Sequence, residues 1–249
     1  MEREPELKRQ KTISDAAFKL TDRDQYLYYL SKRVLDIVIS LIALILLFPI
    51  MVLIAILIRI DSAGPVIYIQ KRVGSERLKR NDHFCWNQKE FSFYKFRTMV
   101  NKANSSIHQD FIKALINHDD QEIQALQNSD TQVKKLVNDP RVTRLGHFLR
   151  QSSLDELPQF WNVFRGDMSL IGPRPAIPYE VEMYKPWYFR RFEAKPGLTG
   201  LWQIVARNSA DFDDMIRLDI EYVDNQSFWL DLKIMWMTPW VIIRHRCVA

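Results

Sequence analysis

The sequence contains few glycines and few cysteines, and both scarcities argue against familiar kinds of functional site. Its 7 glycines form no GxxxxGKS, GxGxxG or GxSxG pattern, so the common nucleotide-binding loops and the serine-hydrolase elbow are not indicated. The 2 cysteines, Cys85 and Cys247, lack CxxC spacing, and neither a disulfide framework nor a zinc site is indicated. We therefore expect a protein of a reducing compartment.

The composition is typical of a folded protein rather than a disordered one. With 249 residues, of which 47% are hydrophobic, the chain can bury a full core, as one large domain or as two. Lysine and arginine outnumber the acids by 35 to 30, which leaves a net charge of +5. This charge suits nucleic acid, an anionic membrane surface and phosphate-bearing ligands equally well.

One apolar segment, residues 37–58, is 22 residues long and carries no charge. Such a length is typical of a helix that crosses about 30 Å of hydrocarbon. Pro49 stands in its middle, where it removes a backbone hydrogen bond and leaves two arms of roughly 15–18 Å, too short to cross. A charged stretch precedes the segment, which argues against a cleaved signal peptide.

The charges that flank this segment favour a helix that enters and leaves the membrane on one side. Lys32 and Arg33 stand before it, and Arg59, Lys71 and Arg72 stand after it; basic flanks favour the cytoplasm. We therefore predict a re-entrant, monotopic helix with the globular part packed beneath the bend. A straight span and a buried helix of a soluble core are the alternatives.

Two aromatic-rich stretches, residues 24–35 and 227–246, are typical of helices at a membrane surface. The first has Tyr26, Tyr28 and Tyr29 beside a basic pair, and the second has three tryptophans and a basic end. Amphipathic aromatic rings favour the headgroup level. Both stretches fit ordinary packed helices equally well.

The rest of the chain predicts strands, a helical insertion and further helices. The stretches GPVIYIQKRVG and FSFYKFRTM are rich in β-branched and aromatic residues, which predicts short strands. Residues 101–138 are mostly polar, with apolar residues at helical intervals. This pattern predicts a solvated helical insertion on the surface. A helix over 144–151 and the start of another near 153–155 follow.

The stretch SSLDELPQFW, residues 152–161, places Asp155 and Glu156 side by side. Ser153 and Glu156 match a capping box, and on this spacing alone a helix cap is the better interpretation. A start at Asp155 would place Pro158 in the first turn, where proline is tolerated. Either start puts the pair at a helix N-terminus, which attracts phosphate, with the two carboxylates on diverging sides.

Cations suited to phosphate occur in nearby motifs, and they strengthen the case for catalysis. Arg174 stands between two prolines in GPRP, so its guanidinium would bind a phosphate with little ordering cost. Gly172 allows a close approach there, and Pro196-Gly197 in KPGLTG predicts a tight turn. Each cation also fits a solvated surface group. The remaining candidates are Lys95, Arg97, Arg150, Arg207 and Asn208.

Five motifs follow the proline-broken segment in the order KRVG, FYKFRTM, NDPRVTRLGHFLRQSSLDELPQFWNVFRGDMSLIGPRP, KPGLTGLWQ and ARN. In this order they closely resemble those of the monotopic phosphoglycosyl transferases, the bacterial polyprenyl-phosphate sugar-1-phosphate transferases. The resemblance covers roughly residues 32–243. It implies a single membrane-embedded α/β domain, mixed and helix-rich, with a proline-broken re-entrant helix and interfacial amphipathic helices.

The resemblance implies transfer of a sugar 1-phosphate from a UDP-sugar to a polyprenyl (undecaprenyl) phosphate, with release of UMP. In such a ping-pong reaction Asp155 resembles the nucleophile that becomes an aspartyl phosphosugar, and Glu156 resembles the base that prepares the acceptor. Mg2+ is implied as a cofactor with Asp155 as its protein ligand. The implied phosphate-binding residues are Lys95, Arg150, Arg174, Arg207 and Asn208.

The resemblance also implies a location and a set of partners. It places the catalytic domain on the cytoplasmic face of the bacterial inner membrane, in the first membrane step of polysaccharide synthesis, for example of exopolysaccharide or O-antigen. The implied partners are the UDP-sugar, the polyprenyl phosphate and the bilayer, without nucleic acid, and a homodimer is compatible with them. The LWQ motif and the insertion favour galactose or glucose over amino sugars as the transferred sugar.

We expect three parts: a polar leader with the start of an interfacial helix at 1–31, a re-entrant helix at 32–60, and a cytoplasmic catalytic domain at 61–249. Ala206 stands where most relatives have glycine before the RN pair, and larger relatives carry transmembrane helices ahead of the re-entrant segment. The chain is thus expected to be a catalytic core with a short leader. A non-catalytic, membrane-anchored anion-binding protein is the competing function.

Overall fold

The computed structural model describes residues 22–80, 83–101, 106–127, 139, 141–206 and 211–246. These residues form a mixed, helix-rich α/β fold, as expected. The helices are α1 (Asp22–Asp61), α2 (Ser106–Asn117), α3 (Asp120–Gln127), α4 (Arg144–Ser152), α5 (Gln159–Arg165), α6 (Pro178–Val181), α7 (Leu201–Val205), α8 (Phe212–Asp224) and α9 (Phe228–Arg246). The strands are β1 (Ile67–Arg80), β2 (His83–Phe96), β3 (Ser169–Ile171) and β4 (Gly197–Thr199), and 3-10 segments cover Leu154–Glu156 and Pro186–Phe192.

The strands form two sheets of two strands each. β1 and β2 pair antiparallel along their whole length, so the hairpin is longer than the two short strands that the sequence predicts. Tyr68 lies opposite Lys95, and Arg72 is on the same face because alternate residues of a strand share a face. β3 and β4 pair in parallel, which brings the chain before GPRP against the KPGLTG segment.

Helix α1 contains the whole apolar segment and is helical on both sides of Pro49. Only 11% of its most apolar window is buried, so the alternative of a buried core helix is wrong. The helix is long and apolar enough to cross a membrane, and its 40 residues correspond to about 60 Å measured along the helical path, at 1.5 Å per residue.

Polar residues fix the N-terminal part of α1 to the globular part. Arg33 donates hydrogen bonds to the carbonyls of Val163 and Phe164 at the end of α5, each over 2.7 Å. Asp36 accepts hydrogen bonds from the Leu170 backbone N–H over 2.8 Å and from the Ser169 hydroxyl over 3.1 Å. These contacts connect the apolar helix to α5 and β3.

Apolar residues fix the C-terminal part of α1 to the same globular part. Ile54 and Ile58 are buried in a cluster with Phe96 of β2 and Leu149 of α4. Between the two contact regions the side chains are mostly exposed, and Phe48 beside the proline is an example at 64%. The apolar segment is therefore held at both ends and uncovered in its middle.

The described part of the insertion packs into the core. α2 and α3 are helical, as expected, but Phe111 and Leu115 are buried in one cluster with Val73, Ala176 and Tyr184. The expectation of a solvated insertion is wrong for these helices, because apolar residues at helical spacing form a stripe that packs on the rest of the protein. Most of the remaining insertion lies outside the described residues.

The two aromatic-rich stretches differ in burial. Trp229, Trp236 and Trp240 of α9 are 78%, 75% and 67% exposed, so these tryptophans are not core residues. Tyr28 of α1 instead packs against α9 and donates a hydrogen bond to Asp231 over 2.9 Å. The packed-helix interpretation therefore holds for this tyrosine but not for the tryptophans.

We predict that Lys32→Ala lowers the free energy of unfolding by about 3–5 kcal/mol, because it leaves a buried carboxylate without its cation. Lys32 Nζ lies 2.6 Å from Asp231 Oδ2 and 3.1 Å from the Tyr222 hydroxyl oxygen. Denaturant titration in detergent would measure the loss. Lys233→Ala, an exposed lysine of α9, is the control and should cost less than about 0.5 kcal/mol. Equal losses in both variants would contradict this assignment.

Candidate active site

The acid pair lies on a 3-10 turn between two helices. Ser153 follows the end of α4 with a left-handed φ of 57° and redirects the chain. Leu154–Glu156 forms the turn, and α5 begins after Pro158. Ser153 makes no side-chain capping hydrogen bond. The predicted capping box is therefore wrong, because the left-handed backbone of Ser153 ends α4 rather than starting the next helix.

Asp155 is buried, with 8% of its surface exposed. Loss of water, followed by the negative charge of Glu156, raises the pKa of Asp155 from 3.8 to about 6, while Lys95, Arg150 and Arg174 oppose the rise. The carboxyl group is therefore ionised at neutral pH and more basic than an ordinary aspartate. These properties suit a nucleophile or a proton carrier.

Asn162 of α5 connects the acid turn to the strand that carries Lys95. Its side-chain N–H donates to the Ser92 carbonyl over 2.7 Å, and its side-chain oxygen accepts from the Tyr94 backbone N–H over 3.1 Å. Lys95 is the residue of β2 that follows Tyr94. Burial, followed by the charge of Arg72, lowers the pKa of Lys95 from 10.5 to about 8. The ammonium group thus keeps its charge at neutral pH in a poorly hydrated position.

Helix α4 carries Arg150, and its contacts with the segment after β2 position this residue. Arg150 Nε donates to the Thr98 hydroxyl over 2.9 Å, and the Thr143 backbone N–H donates to the Thr98 carbonyl over 3.0 Å. Gly146 permits this approach, since a Cβ there would lie 2.1 Å from the Thr98 carbonyl oxygen. Burial lowers the pKa of Arg150, and the charge of Asp155 opposes that shift.

The GPRP loop directs Arg174 towards the acid pair. Arg174 Nη1 lies 3.4 Å from Glu156 Oε1. Two buried arginines hold the loop: Arg191 donates to the Arg174 carbonyl over 2.8 Å, and Arg72 donates to the Pro175 carbonyl over 3.0 Å. The loop backbone is therefore positioned before any ligand binds.

The two predicted glycine features have a structural role. Gly172 does allow a close approach, but of the chain itself, because a Cβ there would lie 2.2 Å from the Lys195 carbonyl oxygen. The predicted tight turn at Pro196-Gly197 is wrong, because Gly197 begins β4 and pairs with Ser169 of β3. Both glycines serve the small parallel sheet that carries the loop.

Five predicted site residues come together around the turn: Asp155, Glu156, Lys95, Arg150 and Arg174. Arg207 and Asn208 lie outside the described residues. The site role suggested for Arg97 is wrong. Its guanidinium donates to the carbonyls of Ser62 and Ala63 over 2.6 and 3.0 Å and so holds the end of α1.

Sequence interpretation misses two groups beside the site. From the sequence alone, Arg72 is only one of the basic residues that follow the apolar segment. Its guanidinium is in fact buried and lies 5.2 Å from the centre of the Phe93 ring. The alternation of side chains along β1 would have indicated a position near the site, since Arg72 shares a face of the hairpin with Lys95. The second group is His108 with Tyr179, and no local pattern in the sequence indicates this pair.

The arrangement favours chemistry at a phosphate ester over simple anion storage. A buried carboxylate of raised pKa suits covalent attack, and cations from three elements suit stabilisation of phosphate charge. Over the described ranges, no group of three or more His, Cys, Asp or Glu side chains could hold a metal. Asp155 still fits Mg2+, which often takes one or two carboxylates and completes its shell with waters and phosphates.

This site and fold agree with the comparisons with known proteins. The family model described as bacterial sugar transferase matches residues 27–245, and the chain belongs to this family. Galactosyl transferase CpsE of Streptococcus agalactiae serotype III is 39% identical over 221 residues, which cover 88% of this chain and 43% of that protein. Undecaprenyl-phosphate galactose phosphotransferase of Salmonella typhimurium is 40% identical over 215 residues, which cover 86% and 40%.

A shorter relative matches over most of its length. Exopolysaccharide production protein ExoY of Rhizobium meliloti is 37% identical over 209 residues, which cover 84% of each protein. The chain thus spans less than half of the galactosyl transferase and the galactose phosphotransferase, and most of ExoY.

We predict that Asp155→Asn stabilises the protein at neutral pH. The folded-state pKa of about 6 lies above the ordinary 3.8, so the stabilisation from a protonated Asp155 is present below pH 4 and is lost as the pH rises through about 6. The variant should match the wild type near pH 4 and exceed it by on the order of 2–3 kcal/mol at pH 7.5. Denaturant titrations across this range would measure the difference.

The control for this prediction is Asp110→Asn, which removes an exposed carboxylate of α2. It should show no comparable trend with pH. A stability difference between Asp155→Asn and wild type that stays constant from pH 4 to 7.5 would contradict the assigned environment of Asp155.

Proposed function

We propose that the protein transfers a sugar 1-phosphate from a UDP-sugar to a polyprenyl phosphate and releases UMP, in bacterial polysaccharide synthesis. The observation that carries the proposal is the buried, basic carboxyl of Asp155 among Lys95, Arg150 and Arg174. The names of two relatives, a galactosyl transferase and an undecaprenyl-phosphate galactose phosphotransferase, support the substrate class. We infer galactose or glucose as the transferred sugar.

In the first half-reaction, a carboxylate oxygen of Asp155 attacks the β-phosphorus of the UDP-sugar. The bond from this phosphorus to the oxygen that bridges the two phosphates breaks, and UMP leaves with that oxygen. The phosphosugar remains on Asp155 as an acyl phosphate. A pKa of about 6 leaves the carboxyl ionised at neutral pH and more nucleophilic than an ordinary aspartate.

In the second half-reaction, an oxygen of the polyprenyl phosphate attacks the same phosphorus. The bond from phosphorus to Asp155 breaks, a polyprenyl diphosphate sugar forms, and the carboxylate is restored. Glu156 accepts the proton that the acceptor phosphate carries and later releases it to water. Its ion pair with Arg174 orients its carboxylate for this role.

The cations position the phosphates and neutralise their charge, which are the main contributions that a protein makes to displacement at phosphorus. Lys95, Arg150 and Arg174 come from β2, α4 and the GPRP loop, so in this proposal they surround the diphosphate from three elements. We assign Arg207 and Asn208 to the same phosphate-binding set on the family resemblance.

We also propose Mg2+ as the cofactor, held by Asp155 and the diphosphate of the donor. When bound, the ion would neutralise charge on the phosphates. The buried carboxylate of Asp155 is the feature of this chain that fits such an ion.

We propose that α1 enters the membrane from the cytoplasm and turns back near Pro49. Support comes from its contacts: Arg33 and Asp36 before the proline, and Ile54 and Ile58 after it, all contact the globular part. A helix that crossed the bilayer would carry one of these regions away from that part. The uncovered middle of α1 would then lie in lipid.

We propose that α9 lies along the cytoplasmic surface of the bacterial inner membrane. Its exposed Trp229, Trp236 and Trp240 have the amphipathic rings that suit the headgroup level. A homodimer stays a prediction.

The competing function, an anion-binding membrane protein without catalysis, needs the cations alone. A buried carboxylate at the centre of the cations would repel an anionic ligand, so Asp155 would weaken such a protein. The acid pair therefore favours the enzyme.

We expect Asp155→Asn to lower the rate of UMP release by roughly 10⁴-fold or more, because it removes the nucleophile. Glu156→Gln should keep the first half-reaction and lose most of the second. Intact-mass spectrometry after mixing with UDP-galactose or UDP-glucose and Mg2+ alone should therefore show a phosphohexose adduct on wild type and on Glu156→Gln, and none on Asp155→Asn.

The exposed-acid variant Asp110→Asn is again the control and should keep wild-type turnover. Equal UMP release by wild type and Asp155→Asn would contradict the proposal. Turnover that requires both substrates at once, without an adduct at any time, would also contradict it.

We expect residues on both sides of the apolar segment to face the cytoplasm. Leu30→Cys and Asp61→Cys, each in a chain with Cys85 and Cys247 replaced by serine, should react with a membrane-impermeant thiol reagent in inside-out vesicles. Neither should react in right-side-out vesicles until detergent is added. Labelling of one position in each kind of vesicle would instead indicate a straight span.

A further inference from the structure

An uncharged hydrogen-bonding pair lies beside the cations of the site. His108 of α2 has its Nδ1 2.6 Å from the hydroxyl oxygen of Tyr179 on α6. The two rings meet edge to face, with centroids 6.2 Å apart. Both side chains are partly buried, and they belong to different elements, so this contact fixes α2 against the segment that follows GPRP.

Two links place this pair at the edge of the phosphate site. Ala176 pairs with Val73, the neighbour of Arg72, and Tyr179 follows Ala176 by three positions in the chain. The charge of Arg72 acts on the Tyr179 hydroxyl and also on Lys95. The pair therefore lies beside β1 and close enough to Arg72 to feel its charge.

The imidazole of His108 is neutral in this position. Burial, followed by the charges of Arg72, Lys95, Arg141 and Arg150, lowers the pKa of His108 from 6.5 to about 4. A neutral ring beside several cations does not compete for phosphate. With the tyrosine hydroxyl it offers both a donor and an acceptor to a neutral, hydroxyl-rich ligand.

The surrounding core holds this pair in place. After His108, helix α2 buries Phe111, Ile112 and Leu115 in the cluster that contains Ala176. Tyr68, which is 44% exposed, has its ring 5.4 Å from Lys95 Nζ and adds an apolar face beside the same cations. The packing of α2 and the mutual hydrogen bond thus fix both polar groups before any ligand binds.

The proposed reaction indicates which part of the substrate would meet these groups. The phosphorus that Asp155 attacks carries the sugar on another of its oxygens, so the sugar ring lies directly beside the phosphate-binding cations. We propose that His108 and Tyr179 bind hydroxyl groups of this hexose and so select the donor sugar, an inference that rests on the proposed function. The insertion that contains α2 then contributes directly to donor selection.

The test compares donors in the whole chain in lipid nanodiscs with Mg2+ and polyprenyl phosphate. UMP release is measured with UDP-galactose, UDP-glucose, UDP-N-acetylgalactosamine and UDP-N-acetylglucosamine for wild type, Tyr179→Phe and His108→Ala. We expect kcat/KM to fall by about 10- to 100-fold for the preferred donor and less for the others, so that the donor ratio changes. Tyr179→Phe removes one oxygen and should leave the fold intact.

A binding measurement separates sugar recognition from other effects. In the Asp155→Asn background, which prevents turnover, calorimetry should show that Tyr179→Phe weakens UDP-galactose or UDP-glucose but leaves the affinity for UDP unchanged. His118→Asn, a change at the exposed end of α2, is the control and should alter neither the donor ratio nor the binding.

The outcomes distinguish this inference from the proposed function. Equal loss with all four donors, or unchanged ratios in both variants, would overturn the role of the pair while UMP release by wild type would uphold the enzyme. Absence of UMP release by wild type with every donor would overturn the proposed function itself.

Discussion

The contacts of Arg33 and Asp36 connect the apolar helix to the two segments that shape the site. Arg33 binds the last carbonyls of α5, which begins just after the acid turn, and Asp36 binds the backbone of β3, which leads into GPRP. Hydrogen bonds from charged side chains to backbone groups are costly to break without a replacement. A displacement of α1 would therefore carry the acid turn and the GPRP loop together, and their mutual geometry would be kept.

The second constraint is the balance of charge around Asp155. Burial and Glu156 raise its pKa, while Lys95, Arg150 and Arg174 keep the rise to about 6. Burial without the cations would favour a protonated, unreactive acid, and cations without burial would favour an ordinary weak base. The site thus keeps a charged carboxylate in a buried position, where its charge lowers the stability of the fold.

The sequence predicts those features that depend on local pattern or on motif chemistry. The helix over 144–151, the acid pair and the cations Lys95, Arg150 and Arg174 belong to this group. It fails where a distant segment decides the outcome, because the packing of Gly172 on Lys195 makes a strand, β4, where the sequence predicts a tight turn. The burial of α2 and the His108 contact likewise depend on α6, far along the chain.

The close backbone contact between Gly172 and Gly197 has a consequence for exchanging parts among relatives. A Cβ on Gly197 would lie 2.1 Å from the Gly172 amide nitrogen, so the two segments fit only as a matched pair. Chimeras that graft the GPRP loop should transplant the KPGLTG segment with it. Genetic screens should recover inactive alleles at both glycines, although their damage would arise from steric exclusion between main chains rather than from lost substrate contacts.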